Sequence, residues 1–370
     1  MDKFFSVYKE LIKRINTFNF NHLLLLSLVL FAIGLFSCKK PVSTLDMLIQ
    51  HRADSLLQSE LGKSRSDSAL VIVMSVKTGE IRTMIMVQKN YSTGKFIKIS
   101  DQSLFAKVEP GPIFIPLSMM AAIDNKGLSI QEKVDAGDGQ YIAHNKAIYD
   151  KDAFEKGGYG VITLKDCIAN PSFIGTVKTV DTVFSDNFSL FEKKMQKMSI
   201  GQPADNDVFA GTPIFDSKLD ALSLGYYFKI SPLQLLTAYN AIANDGKMMK
   251  PAFYVTERGI INEHISSEKT IRGIQTVFKE NGEKTFPDLG IDSTHTIAVF
   301  KVINSIKNTY SRSYTGSCCG YFPAENPEYS CLVMFFRSES LENNAEEGKK
   351  IVEASLLKVF KQMAVQIMKK

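Results

Sequence analysis

In this 370-residue chain Ser92-Thr93-Gly94-Lys95 and Ser266-Ser267-Glu268-Lys269 each set a serine three residues ahead of a lysine. On a helix, residues three apart share a face. A lysine amine there can take the proton of a serine hydroxyl as it attacks a carbonyl, the first step of acyl transfer. Both stretches are polar and turn-like, however, and neither is expected to be catalytic. Ser118 lies on a more apolar, helix-like stretch, but no lysine follows three residues later. The 5 histidines are scattered, and none has a partner at metal-ligand spacing. No metal and no cofactor is expected.

The elements that would position such groups follow from the hydrophobic pattern. Residues 69–76 and 81–87 are apolar, β-branched runs joined by Lys77-Thr78-Gly79-Glu80, which predicts a hairpin. Helical patterns dominate from 117 to about 250, with helices expected at 116–125, 163–169 and 232–244. The last is well marked, with Ser231 as N-cap, Pro232 at the first position and Gly246 soon after the end. Strand patterns return at 296–303, 317–322 and 329–336. Apolar residues from Ile351 to Ile367 then recur at the spacing of an amphipathic helix. This order predicts an α+β fold: a mostly antiparallel five-stranded sheet flanked by helices, with a helical subdomain inserted.

Composition bounds the rest. With 45% hydrophobic and 22% charged residues the chain is of globular type. A net charge of +5 is small for this length, and many lysines sit near the two ends, so no nucleic-acid surface is implied. Lys3, Lys9, Lys13 and Arg14 precede an apolar run from Leu23 to Phe36, which ends at Ser37-Cys38-Lys39-Lys40. That pattern is an export signal. The run is shorter than the ~20 residues that span a bilayer comfortably, and the cysteine at its end resembles a bacterial lipoprotein cleavage site, although Phe36 replaces the usual small residue. Lipidation of Cys38 and an uncleaved anchor are both open, and either puts the bulk of the chain outside the inner membrane. The segments expected are a signal peptide or anchor at 1–37, a polar helical lead-in at 38–65 and one folded domain at 66–370. Cys167, Cys318, Cys319 and Cys331 fit no zinc pattern and are expected as small buried side chains. A bridge from the adjacent pair to Cys331 is the alternative.

Glu109-Pro110-Gly111-Pro112-Ile113-Phe114-Ile115-Pro116 resembles the penicillin-binding transpeptidase motif E-P-G-S-x-x-K-P. In that family the serine is the nucleophile and the lysine its base. Here Pro112 stands at the serine and Ile115 at the lysine. Proline suits the first helical position and isoleucine keeps much of a lysine stem's bulk. The resemblance runs in order from about residue 66 to 337. It includes 71–81, which is similar to the family's first hairpin, and Ser223-Leu224-Gly225-Tyr226 with Ser231-Pro232-Leu233-Gln234. Gly320-Tyr321-Phe322-Pro323 is similar to its last turn. The nearest arrangement is that of class B cell-wall transpeptidases, without room for their N-terminal pedestal. The fold implied is the serine β-lactamase and transpeptidase fold.

The family's second motif, S-x-N, aligns with Pro171-Ser172-Phe173, placing Pro171 at the serine and Phe173 at the asparagine. A one-residue slip would put Ser172 at the serine and Ile174 at the asparagine. The third, K-T-G, falls on Phe300-Lys301-Val302, or one residue later, and a slip of one reverses the face of a strand. Lys301 is therefore expected either in the pocket or turned away. Tyr314-Thr315-Gly316 is a weaker alignment, and Lys77-Thr78-Gly79 belongs to the hairpin turn. Such groups act as a unit, and losing the nucleophile of a serine protease alone costs on the order of a millionfold in kcat.

The resemblance thus implies a catalytically inactive, membrane-tethered transpeptidase-like protein that forms no covalent β-lactam adduct. It would bind peptidoglycan or cell-wall and divisome proteins in the bacterial envelope. An active D,D-transpeptidase or carboxypeptidase with relocated residues and a noncovalent muropeptide sensor are the alternatives.

Overall fold

The computed structural model describes residues 41–99, 106–150, 154–201, 219–290, 295–307, 311–340 and 344–369. Ser43–Lys370 form one compact unit. Its elements in chain order are helix α1 (Met47–Ser64), strands β1 (Ser68–Ser75), β2 (Ile81–Lys89) and β3 (Phe96–Ile99), and helix α2 (Ile115–Lys126). Strands β4 (Lys133–Asp135), β5 (Gln140–Ala143), β6 (Lys146–Tyr149) and β7 (Val161–Thr163) follow. Helices α3 (Leu164–Ala169), α4 (Phe173–Phe184), α5 (Phe188–Lys197), α6 (Leu219–Ser223) and α7 (Pro232–Ala243) complete the insert. The chain closes with β8 (Met248–Met249), β9 (Ile260–Asn262), α8 (Glu268–Thr285), β10 (Ala298–Lys307), β11 (Ser311–Phe322), β12 (Tyr329–Ser340) and α9 (Ala345–Met368).

The main sheet runs β10-β11-β12-β1-β2-β3, antiparallel at every junction. The α+β layout with a helical insert matches the expectation, but the sheet has six strands where five were expected. The extra edge strand β3 is short and half-exposed, so it carries none of the apolar weight that marks its neighbours. Strand β11 also starts earlier than its apolar half suggests, taking Tyr314-Thr315-Gly316 into its body.

Helices cover the sheet on both faces and generate two apolar cores. In β1 the odd and even positions divide between them: Leu70, Ile72 and Met74 join the front core, and Ala69, Val71 and Val73 the back. A strand buried on both faces reads as a continuous apolar run rather than an alternation. Helices α1 and α9 close the back through Ala53, Leu57 and Leu61 and through Val352, Leu356 and Phe360. They are tied to each other where Ser355 Oγ donates to Glu60 at 3.2 Å and Lys358 pairs with Glu60 at 2.9 Å. The stretch drawn from sequence as a lead-in thus packs on the sheet. Cys318 faces the back core and Cys319 the front, as adjacent strand residues must. All four cysteines among the described residues are buried and unbridged. Cys38 lies outside the described residues.

On the front, every position of α7 is buried. Its start holds the expected N-cap Ser231, which the structure completes as a capping box: Ser231 Oγ accepts from Gln234 N at 3.1 Å and Gln234 Oε1 accepts from Ser231 N at 2.9 Å. No described helix is long and apolar enough to cross a membrane, and the Leu23–Phe36 run lies outside the described residues.

Candidate functional site

The first motif forms a short 3-10 turn, Gly111–Phe114, that runs directly into α2. Both Pro112 and Ile115 are buried. Three contacts pin this turn and the residues just before it to α7 and the segment leading to it. Gly111 N donates to Gly225 O at 2.9 Å, Glu109 Oε1 accepts from Tyr227 N at 3.0 Å, and Tyr239 donates its hydroxyl to Ile113 O at 2.7 Å. Gly225 has φ +81°, and a Cβ there would sit 2.1 Å from Gly111 O. Only glycine allows both that backbone angle and that approach, which is the physical content of the Gly225-Tyr226 signal. Ser118, one turn further along α2, is buried and donates its hydroxyl to Ser223 O at 2.6 Å and Ile115 O at 3.0 Å.

The second motif sits at the start of α4. Ser172 is its N-cap: its Oγ accepts from Gly175 N at 2.9 Å and donates to Asp150 Oδ2 at 2.6 Å. The other Asp150 oxygen accepts from Phe173 N at 2.6 Å and Ile174 N at 3.3 Å. Burial pushes the Asp150 carboxyl up despite these donors. The Ser172 hydroxyl is thereby committed to building the helix. Pro171 and Phe173 are half-buried beside it, and Phe173 packs on the front core.

The third motif is resolved by strand register. Phe300 lies fully buried in the front core and Val302 packs against it. Lys301 points to the opposite face, where it forms an ion pair with Glu353 of α9. No one-residue ambiguity survives, because Lys301 is opposite Cys318, which also faces the back core. The same parity brings Asn304 to the front. Its Oδ1 accepts the Tyr226 hydroxyl at 3.0 Å, and its Nδ2 lies where a Cβ on Gly111 would come within 3.1 Å. Burial and the neighbouring Glu109 charge push the Tyr226 phenol up to about 12, against the hydrogen bond to Asn304.

The fold therefore gathers Gly111–Ile115, Phe173, Phe300, Val302, Tyr226 and Asn304 on the front face of the sheet. Sequence reasoning missed Asn304 and Asp150. Asn304 could be found by counting two from Val302 along the pocket face. Asp150 is brought to α4 only by the fold of the β5–β6 region. At the rim, Tyr227 is half-exposed, with the Lys146 ammonium 5.5 Å from its ring centre.

The serine–lysine spacings at 92–95 and 266–269 fall elsewhere. Ser92 and Lys95 are exposed in the β2–β3 turn. Ser266 is buried without a hydrogen-bond partner, while Lys269 reaches the Gly127 carbonyl at 3.4 Å. Lys77 and Thr78 lie at the β1–β2 turn beside a surface depression of about 290 Å³, which Glu80, Asn326 and Tyr329 also line.

An antiparallel sheet covered on both faces, with a helical insert that delivers a helix start against the sheet's edge strand, defines a class of transpeptidase folds. Residues 69–358 match the penicillin binding protein transpeptidase domain, and the chain belongs to that family. Among curated proteins it is similar to penicillin-binding protein 1A/1B of Bacillus subtilis, 24% identical over 89% of this chain and 35% of that one. It is similar also to penicillin-binding protein PbpB of Mycolicibacterium smegmatis, 21% identical over 79% of this chain and 49% of that one. The chain thus spans about a third to a half of the length of these relatives. Among solved structures, the transpeptidase domain of Burkholderia pseudomallei penicillin-binding protein 3 is 20% identical with a TM-score of 0.69, covering 89% of this chain and 96% of that one. A peptidoglycan glycosyltransferase from Burkholderia ambifaria is 21% identical with a TM-score of 0.68, covering 88% and 96%. These likenesses show the fold.

Proposed function

We propose that this chain is a catalytically inert member of its family, tethered to the membrane of the bacterial envelope, where it takes part in peptidoglycan synthesis by binding. Its partner is a cell-wall or divisome protein, or a peptidoglycan strand. The observation that carries this is the chemistry of the front-face cluster. Pro112 has no hydroxyl, Ile115 has no amine, and the Ser172 hydroxyl is bound between Asp150 and Gly175. Lys301 is held by Glu353 on the far side of the sheet. The cluster's remaining hydroxyl, on Tyr226, donates to Asn304 and is pushed up to about 12, which makes it a poor nucleophile.

A fluorescent penicillin is the test: the purified protein should carry no covalent label after denaturation. A label mapped to one serine, lost on its change to alanine, would favour an active D,D-transpeptidase or carboxypeptidase with relocated groups. A second reading, noncovalent sensing of muropeptides, draws on the Tyr226–Asn304 pair and the exposed Tyr227 ring, which present polar and stacking surfaces at the rim. Saturable binding of a muropeptide without acylation distinguishes it from pure protein binding.

A further inference from the structure

Six exposed apolar side chains lie in the region where the folded unit receives the chain from its N-terminal segment: Met47, Leu48, Tyr254, Val255, Ile260 and Ile261. Backbone pairing binds their segments together. Ser43 bridges to Tyr254, Thr44 N donates to Phe253 O at 2.9 Å, and β9 pairs with β8 on the other side of the same loop. Ile260 is 47% exposed and Met47 73%. Exposed apolar residues gathered at one place mark a binding surface rather than chance.

We infer that this face rests on the lipid bilayer, with Tyr254 and Ile260 at the level of the headgroups. The inference builds on the proposed tether. From Cys38 to Ser43 the chain has five residue steps, which reach at most about 18 Å fully extended. A face beside Ser43 is thus held within a short distance of the membrane surface. The tether makes its docking intramolecular, so a small apolar face suffices. Tyrosine is suited to that depth, with an apolar ring and a polar tip. Two exposed cations flank the face: Lys77, in the turn whose Gly79 O accepts from Ala252 N at 2.9 Å, and Lys250, whose N donates to Gly259 O at 2.8 Å. Of the acids nearby, Glu80 pairs with Arg258, Asp46 with Arg82 and Glu263 with Lys247, while Glu257 turns its carboxylate to the Phe253 and Tyr254 amides. The two exposed cations favour an anionic leaflet.

The chain contains no tryptophan, so a single introduced indole reports alone. The full-length protein is placed in vesicles of phosphatidylcholine and phosphatidylglycerol, with or without brominated acyl chains, as Ile260→Trp or as Ile142→Trp. Ile142 is likewise exposed but lies on β5 in the helical insert. The Ile260→Trp emission should shift to the blue and be quenched by bromolipid about threefold more than that of Ile142→Trp, as expected for a side chain at the headgroup and acyl boundary. Equal quenching of the two variants in protein that floats with the vesicles overturns the inference and leaves the tether standing. So does an Ile260→Trp indole shielded from iodide yet untouched by bromolipid, the mark of a protein partner or a second copy. Failure of the full chain to float overturns the tether and this face with it.

Discussion

A lysine at position 115, where the resemblance aligns the family's base, should be costly, because Ile115 is fully buried in the front core with Ile113, Phe114 and Phe300. An Ile115→Lys variant must either bury an ammonium or give up its proton. Neutralising a lysine at pH 7 from a reference near 10.4 costs about 1.4 kcal/mol per pH unit, a ceiling of about 4–5 kcal/mol. The aliphatic stem recovers most of the lost apolar contact and some water penetration relieves the rest, so the expected loss is about 3–4 kcal/mol. The control Ile115→Met keeps shape and polarity and should cost less than about 1.5 kcal/mol. Urea unfolding at a series of pH values reads both. The sign is fixed by linkage: a lysine whose folded pKa is depressed weighs on stability at pH 7, and its penalty shrinks as the pH rises toward the unfolded value. The gap between the Lys and Met variants should therefore narrow to under about 1 kcal/mol by pH 10. A Lys variant within about 1 kcal/mol of wild type at pH 7, with no dependence on pH, would mean a hydrated cleft at this position. Ile115 would then stand beside water rather than in a dry core.

Gly225→Ala forces a Cβ to within 2.1 Å of Gly111 O at φ +81°, and thermal melting should show a loss of more than about 3 kcal/mol. Asp150→Ala strips the acceptor from the Ser172 hydroxyl and two amides at the start of α4. It should cost about 2–4 kcal/mol in chemical unfolding, against about 1 kcal/mol for Ser172→Ala alone. Asp124 is buried, which raises its carboxyl, but hydrogen bonds from Lys194 and the Ser267 amide outweigh this and hold it at about 2. Its contribution is present above the unfolded value near 3.9 and lost as the pH falls toward 2, so acid titration should reveal about 1–2 kcal/mol in that window that Asp124→Asn lacks.

Much of the scaffold was legible because local rules and global fold agree. The N-cap at Ser231, the apolar runs of β1 and β2 and the helical spacing of α9 each need only their own residues to be read. The short strand β3 was not, since Phe96–Ile99 has too few apolar positions to announce a strand and owes its form to pairing with β2. The early part of β11 was missed for a similar reason: its serines, threonine and arginine read as loop until β10 and β12 hold them from both sides.

The sequence by itself determined the residue types at the positions that the resemblance aligns with the family's motifs: proline at 112, isoleucine at 115, and no threonine or glycine directly after Lys301. Side-chain chemistry is a property of residue type, so it is read without the fold. Only the tertiary structure decided the direction of Lys301, because a strand's two faces differ by one residue and the register with Cys318 fixes which is which. It alone also joined Asn304 to Tyr226 across 78 residues and Ser172 to Asp150 across 22. Contacts at such separations are made by packing, and no local pattern encodes them.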